Sequence, residues 1–295
     1  MSVLAVTRPD APGIYDLPED VYHGDSYPAP CLSTGALKDL LLRSPRIAWM
    51  NHPALNPDYK AEEAAKFDLG RTAHAMLLGG ADKVLVVEAD DWRTNAAKAM
   101  RDEARSNGMT PLIHKDYDKV SKMTFAAWEQ ISASELGIID LQTEGLSEQS
   151  FIWEEDGTWF KVRPDWMPLD RSIILDYKTT NASANPEGIA RTILSLGYDI
   201  QDALYRRGAR TLCQDDIPFV FMFQETSEPY LCSFISLPPE FAALGESKVE
   251  RGISLWRQCL KTGEWPGYPS AICYPELPTW AQFQWELSQG GTEES

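Results

Sequence analysis

Apolar residues at helical spacing dominate the first half of the chain. The clearest case is a helix predicted over 114–134, whose apolar face consists of Tyr117, Val120, Met123, Ala127 and Ile131. The same periodicity predicts helices over 35–42, 46–51, 61–78 and 92–107. Ser33 or Thr34 can cap the first of these helices, and Ser44-Pro45 ends it. We therefore expect residues 31–135 to be mainly helical, with one short strand at 83–88.

From about residue 147 the pattern changes to short runs of β-branched and aromatic residues. Three such runs, separated by turn signals at Asp156-Gly157 and at 167–170, predict a three-stranded meander over 150–154, 159–163 and 172–176. Helices are predicted at 186–196, 200–212 and 239–259, and strands at 219–225 and 230–235.

These elements indicate a mixed α/β (α+β) protein made of one domain. We expect residues 1–30, rich in Pro, Asp and Tyr, to form an extended arm, and residues 147–262 to form the sheet core with its flanking helices. The domain would extend over 1–288 and be followed by a disordered tail at 289–295.

Composition places the chain among globular proteins. Its 295 residues are 43% hydrophobic and 24% charged, which argues against a disordered chain, and no apolar run is long enough for a membrane span. The cysteines are five in number, scattered and without a CxxC pair, which argues against a disulfide framework or a zinc site and favours a reducing cytoplasm. The net charge of −17 argues against a partner made of phosphates.

Two carboxylates and a lysine form the pattern with most chemical content. Asp176 and Lys178 lie two residues apart at the end of an apolar strand, so their side chains leave the same face. Asp165 ends the preceding predicted strand, and a hairpin can bring it beside Asp176. Two converging carboxylates suit a hard divalent ion such as Mg²⁺, and a lysine beside that ion can orient a bound water. The alternative is an ordinary solvated strand edge.

Three more residues add to this pattern. His74 follows Gly70 on a helix with an apolar face, and Gln201 and Tyr205 lie one turn apart on the helix after the Asp-x-Lys strand. Ordinary helix packing is the alternative for each of them.

Together these residues resemble the PD-(D/E)xK nucleases, through Pro164-Asp165 and Asp176-Tyr-Lys178. His74 and Gln201-xxx-Tyr205 are similar to the RecB-type branch of that superfamily. The segments 33–45, 67–74 and 176–201 resemble the nuclease domain of exonuclease VIII (RecE). The resemblance implies a restriction-endonuclease-like core, a central mixed β-sheet flanked by helices, with a helical N-terminal part.

The resemblance also implies a role for each residue. Asp165 and Asp176 would bind the metal, the carbonyl of Tyr177 would complete the site, and Lys178 would activate water. His74 would be either a further metal ligand or a base next to the ligands. Gln201 and Tyr205 would steady the lysine or the DNA backbone. Glu148 and Glu154 are both candidates for one more acidic residue, and their spacing leaves the choice open. The candidate phosphate contacts, which could equally be surface ion pairs, are Arg43, Arg71, Arg163 and Arg191.

The implied activity is Mg²⁺-dependent digestion of double-stranded DNA from its ends, 5′→3′, with Mn²⁺ able to substitute. It would leave 3′ single strands for an annealing protein in recombination of phage or prophage type, in the cytoplasm of a bacterial host. The implied enzyme is a ring-like homo-oligomer without membrane contact. Only Cys259 and Cys273 lie late in the chain, so no iron–sulfur cluster is expected, and without a phosphate-binding loop no ATP is expected.

Other functions remain open. A structure- or sequence-specific endonuclease could use the same core, and the acidic charge would suit a non-catalytic module that mimics or binds DNA. A helical adaptor is supported only by the N-terminal part. However, residues 161–210 contain eight Lys and Arg against six Asp and Glu. The region of the predicted site is thus mildly basic, and we expect a basic track there that would admit DNA.

Overall fold

The fold is described from a computed structural model, for residues 4–5, 9–24, 27–60, 69–79 and 84–289. Its centre is a mixed five-stranded sheet in the order β12-β11-β10-β9-β6, which we call the central sheet. Its strands are β6 (Gly145–Ser147), β9 (Trp166–Pro168), β10 (Ile174–Thr180), β11 (Phe219–Glu225) and β12 (Cys232–Ile235). Only the β10–β11 pair is parallel, and the other pairs are antiparallel.

Alternation along the two parallel strands buries both faces of the central sheet. Phe219, Phe221 and Phe223 on β11 belong to one apolar cluster, while Val220 and Met222 belong to another on the opposite face. Side chains of α8 (Tyr198–Cys213) and α9 (Pro239–Thr262) complete the first cluster, and those of α4 (Leu69–Leu77) and α6 (His114–Ser132) complete the second. The sheet is therefore a middle layer between two helical layers.

A second five-stranded sheet has the order β1-β2-β7-β8-β3. It consists of β1 (Leu4–Ala5), β2 (Gly13–Asp16), β3 (Cys31–Ser33), β7 (Ser150–Glu155) and β8 (Thr158–Val162). The β7–β8 hairpin turns at Asp156 and Gly157, both with positive φ (48° and 79°), as a tight two-residue hairpin turn requires. A separate parallel pair joins β4 (Val84–Val87) to β5 (Thr110–Ile113), a strand that periodicity did not predict.

The remaining helices are mostly short. The first helix of the predicted helical part is α2 (Thr34–Lys38), which begins at the N-cap Ser33, whose Oγ accepts a hydrogen bond from Ala36 N. It continues into a π-helical turn (Asp39–Arg43). The other helices are α1 (Glu19–Gly24), α3 (Pro45–Met50), α5 (Asn95–Ser106), α7 (Ala190–Ser195) and α10 (Thr279–Gln289). No helix in these ranges is both long and apolar enough to cross a membrane.

The predicted three-stranded meander is wrong. β8 and β10 belong to different sheets, and the short strand β9 lies between them in the chain. Pro164 has no N–H to donate to a strand ladder, so the chain leaves the second sheet after Val162. It enters the central sheet at Trp166, which is almost fully buried. The two turns predicted at Asp156-Gly157 and near 170 each connect strands of the same sheet, and the change of sheet falls between them at Pro164, where no turn was predicted.

The N-terminal segment also differs from an extended arm. In its described part, β2 pairs with β7, and α1 places Tyr22 against the second sheet beside the buried Tyr15 and Tyr27. Tyrosines bury large areas, and this gain fixes a segment whose Pro and Asp content is typical of a loop. Of the helix predicted over 61–78, residues 61–68 lie outside the described residues, as does 290–295 of the predicted tail. Helix α10, just before that tail, was not predicted.

Candidate active site

Strand pairing brings the two predicted carboxylates together. Leu175 of β10 pairs with Trp166 of β9 in antiparallel register, so Asp176 and Asp165 are neighbours one step further along. The backbone N–H of Tyr177 donates a 2.8 Å hydrogen bond to Oδ2 of Asp165. The Asp165–Asp176 neighbourhood expected from the sequence therefore exists, although β9 and not β8 provides it.

Asp176 is completely buried, and two side chains contact its carboxylate. Lys178 places its ammonium directly on Oδ1, and Gln201 of α8 donates a hydrogen bond from Nε2 to Oδ2, 2.7 Å long. Among the described residues, Oδ1 has no polar partner besides Lys178, so Lys178 and Gln201 each contact one oxygen of the carboxylate.

His74 of α4 closes the site from the opposite face of the sheet. Its Nε2 lies 3.1 Å from Oδ1 of Asp165, and its Nδ1 lies 3.8 Å from Oε1 of Glu148. Glu148 has a positive φ of 52° at the step from β6 to β7, a strained conformation for this residue type. Glu154 instead accepts a hydrogen bond from Gly157 N in the β7–β8 turn. Of the two acidic candidates, the structure places Glu148 in the site.

The charges of the site depend on one another. Burial and the adjacent Asp165 raise the pKa of Asp176 to about 6. Burial also acts on Asp165, but Lys178 and His74 outweigh it and hold the pKa of that carboxyl below its usual value. For Lys178 and His74 burial opposes the charge, yet Asp176 and Asp165 raise the pKa of Lys178, and Asp165 and Glu148 raise the pKa of His74. The site thus favours one ionised carboxylate beside one that is easily protonated.

The chemical type of these donor atoms, carboxylate oxygens, fits a hard divalent cation. Two neighbouring carboxylates, Asp165 and Asp176, provide the oxygen ligands that Mg²⁺ prefers, with water completing its shell. In the part of the chain described, no group of three or more His, Cys, Asp or Glu side chains has metal-binding geometry. Lys178 and His74 contact one oxygen of each carboxylate, so these cations occupy positions that a metal would compete for. The carbonyl of Tyr177 as a ligand stays a prediction.

Tyr205 lies near the site but does not contact the carboxylates. Its hydroxyl donates a 3.0 Å hydrogen bond to the carbonyl of Arg163, and its ring packs edge-on against Phe219. Tyr205 therefore fixes the segment that leads into Asp165, and the prediction that it acts directly in the site has no contact to support it.

The four candidate phosphate contacts have different surroundings. The guanidinium of Arg163 donates to the carbonyl of Leu17 (2.7 Å) and stacks on Tyr22, so it anchors the N-terminal segment. Arg43 pairs with Asp39 within its own helical turn. Arg191 lies over the ring of Trp280, and Arg71 is exposed on α4, one turn before His74.

The expected basic track does not follow from the local count of charges. On α8, Arg206, Arg207 and Arg210 all form ion pairs with carboxylates of neighbouring elements. Their partners are Asp216, Glu155, Glu250 and Glu246. This face of the helix is therefore an ion-pair network, and its arginines are neutralised.

Lys38 of α2 is a site residue to which the sequence assigned no role. Its Nζ donates to Oε1 of Gln201 (3.4 Å) and lies 4.7 Å from the centroid of the Tyr198 ring. Lys178 Nζ lies 5.9 Å from the same ring. Burial and Lys178 lower the pKa of Lys38 to about 8. Lys38 falls within the segment 33–45 that carried the family resemblance, which was the only signal for it.

The family of the chain follows from comparison with known proteins. Residues 41–276 match the family described as a PDDEXK-like domain of unknown function (DUF3799). The chain belongs to this family. No curated protein matches it.

Among solved structures, a "Putative exonuclease" from Eubacterium rectale aligns with a TM-score of 0.58 at 15% identity, over 86% of this chain and 92% of that chain. A structure of SSO0001 aligns at 14% identity over 68% of this chain and 97% of that chain, but its TM-score of 0.27 is too low to indicate a shared fold.

Family and fold together confirm the predicted PD-(D/E)xK core with its mixed central sheet between helices. They support a nuclease, a phosphodiester hydrolase, as the general class of activity, and proteins of this class typically use divalent metals.

Proposed function

We propose that this protein is a Mg²⁺-dependent exodeoxyribonuclease that degrades double-stranded DNA. The observation that carries the proposal is the convergence of Asp165, Asp176 and Lys178 on adjacent strands of the central sheet, with Gln201 and His74 bound to the two carboxylates. Carboxylates that bind a metal, beside a lysine, suit hydrolysis by water without a covalent enzyme intermediate.

Each side chain has a task that follows from its contacts. Gln201 holds the carboxylate plane of Asp176, and His74 holds that of Asp165. Lys178, kept protonated by both aspartates, orients the attacking water and offsets the charge that develops on the phosphate. Bound at Asp165 and Asp176, Mg²⁺ would lower the pKa of that water and withdraw charge from the phosphate. We expect Mn²⁺ to substitute, because it accepts the same oxygen ligands.

The finer parts of the proposal rest on resemblance. The similarity to the exonuclease VIII (RecE) nuclease domain and the exonuclease name given to the E. rectale protein support attack at DNA ends. On the same basis we propose 5′→3′ polarity, a ring-like homo-oligomer, and an annealing protein that receives the 3′ single strand. The setting would be recombination of phage or prophage type in the cytoplasm of a bacterial cell.

A degradation assay on end-labelled DNA tests the proposal. Linear duplex labelled at the 5′ or the 3′ end and a covalently closed circle are incubated with Mg²⁺, Mn²⁺ or EDTA. We expect mononucleotides or short products from the linear duplex with either metal, the 5′ label released first, and an intact circle. Asp176→Asn serves as the inactive control, because the amide keeps the shape but loses the charge.

Two other results would change the conclusion. Cleavage of the closed circle would show an endonuclease on the same core. Binding of DNA without cleavage under every metal condition would leave a non-catalytic binding module, the class that the net charge of −17 also suits.

A further inference from the structure

Lys38 brings a second ammonium into the site. Its hydrogen-bond partner is Oε1 of Gln201, a neutral amide, and it lies over the face of Tyr198. Within the described ranges, the ion pairs do not include Lys38, whereas Lys178 is held on Asp176. The two lysines therefore differ: one is committed to a carboxylate and the other is not.

The backbone at the start of α8 provides room for this lysine. Gly197 has a positive φ of 63°, and a Cβ built there would lie 3.2 Å from Cγ of Lys38 and 3.0 Å from Leu42 Cδ1. The stem of Lys38 thus passes over Gly197 and carries the ammonium to Gln201, four residues further along the helix. Lys38 is only partly buried, so the residue borders solvent rather than the closed core.

An ammonium in this position is unfavourable in the absence of an anion. A partly buried charge without a carboxylate partner loses hydration that an amide oxygen and an aromatic ring restore only in part. A methionine could fill the same path with apolar atoms. The carboxylates of Asp165, Asp176 and Glu148, in turn, repel a polyanion that must enter the site. A cation next to them that is not committed to a carboxylate is the group that can accept it.

We infer that Lys38 binds a non-bridging phosphate oxygen of the DNA strand that enters the site, next to the phosphodiester that Lys178 and Asp176 act on. This inference rests on the proposed function, because it takes the substrate to be DNA. Lys38 binds the substrate, while Lys178 serves the attacking water. The separation of the two tasks follows from their different partners, Gln201 and Asp176.

The test measures DNA binding without cleavage. A short dye-labelled duplex is titrated with wild type, Lys38→Met and Lys38→Arg in EDTA at neutral pH, between about 50 and 200 mM salt. The control is Lys122→Met on α6, a lysine whose side chain is 66% exposed and whose Nζ lies 3.7 Å from Oε1 of Glu228. We expect the slope of log K against log salt to shrink by about 0.9 in Lys38→Met and to stay unchanged in Lys38→Arg and Lys122→Met.

Turnover adds a second measurement. With Mg²⁺ and linear duplex well below saturation, Lys38→Met should degrade DNA about 10- to 100-fold more slowly than wild type, because one charged hydrogen bond to the substrate is lost, and the two rates should converge at saturating DNA. Its melting temperature should equal or exceed that of wild type, because an uncompensated charge has been replaced by apolar atoms. Lys38→Arg should retain most of the activity.

The outcomes separate the inference from the proposed function. An unchanged salt slope in Lys38→Met overturns the phosphate contact even if turnover falls, because turnover then falls through Gln201 alone. A reduced slope together with no cleavage by wild type supports the contact and contradicts the nuclease activity. Absence of DNA binding by wild type overturns both.

Discussion

Replacing Lys178 with methionine removes the ammonium from a buried carboxylate, and the chain offers a matched control. Lys248 of α9 places its ammonium on Asp199, another aspartate with a fully buried side chain. The side chains of Lys178 and Lys248 are 22% and 27% exposed, and their partners 1% and 0%. Lys178→Met and Lys248→Met therefore break two ion pairs of similar burial, of which only one belongs to the site.

The two variants should lose similar stability and very different activity. Removing one partner of a buried ion pair leaves an uncompensated charge and costs about 3 to 5 kcal/mol. We expect this loss of unfolding free energy in both variants. Lys178→Met should in addition lose about 10³-fold or more in turnover, or about 4 kcal/mol in the activation barrier, because the missing charge faces the reacting phosphate. Lys248→Met should stay within a few-fold of wild type.

The measurements are denaturant unfolding without metal and single-turnover degradation of end-labelled duplex with Mg²⁺, well below the melting temperature of both variants. The m-value shows whether each variant still unfolds from a compact native state. Activity of Lys178→Met within tenfold of wild type would refute its role in the reaction. An equal loss of activity in Lys248→Met would show that the effect of Lys178 is one of stability.

Three further predictions concern α8. Gln201→Leu leaves Oδ2 of the buried Asp176 without its 2.7 Å donor, and single-turnover rates should fall about 10- to 100-fold while DNA binding in EDTA changes little. Burial raises the pKa of Asp202 to about 6, so the contribution of Asp202 to folding stability falls as pH rises from about 4 through 6. Asp202→Asn should therefore raise the unfolding free energy by up to about 3 kcal/mol at neutral pH but not near pH 4. Denaturant titrations at both pH values check this. A Cβ at Gly245 would lie 2.2 Å from the carbonyl oxygen of Asp199, so Gly245→Ala should force α9 away from α8; a loss below about 1 kcal/mol in denaturant unfolding would contradict this packing.

Much of the secondary structure follows from local patterns in the sequence. The prediction of a strand at 219–225 has the correct bounds, and the predictions of α6 and α9 are within a few residues. The reason is that the periodicity of a long amphipathic helix and the apolar run of a buried strand are visible within a short stretch of sequence. The strands β1, β2, β3, β5, β6 and β9 and the helices α1 and α10 were not predicted. These strands have two to four residues, too few for a period, and pairing with a partner strand stabilises them.

Of the site, the sequence determined the chemical groups. The Asp-x-Lys pair on β10 lies on one face because side chains alternate along any strand, and Gln201 follows from the helix after it. The PD-(D/E)xK signature can therefore be identified from the sequence alone. The sequence does not decide between Glu148 and Glu154, because the choice depends on which of the two glutamates lies next to His74.

Tertiary structure alone decided how those groups are used. The change from one sheet to another at Pro164 sets Asp165 beside Asp176, and the packing of α2 against α8 brings Lys38 to Gln201 across 163 positions of sequence. The use of charged side chains likewise depends on tertiary structure. The sequence states the number of arginines on α8, but only their partners show that they are neutralised, while Lys38 stays without a carboxylate partner in the described structure. Charge and contact depend on distances in space, and those are fixed by the packing of elements that lie far apart in the chain.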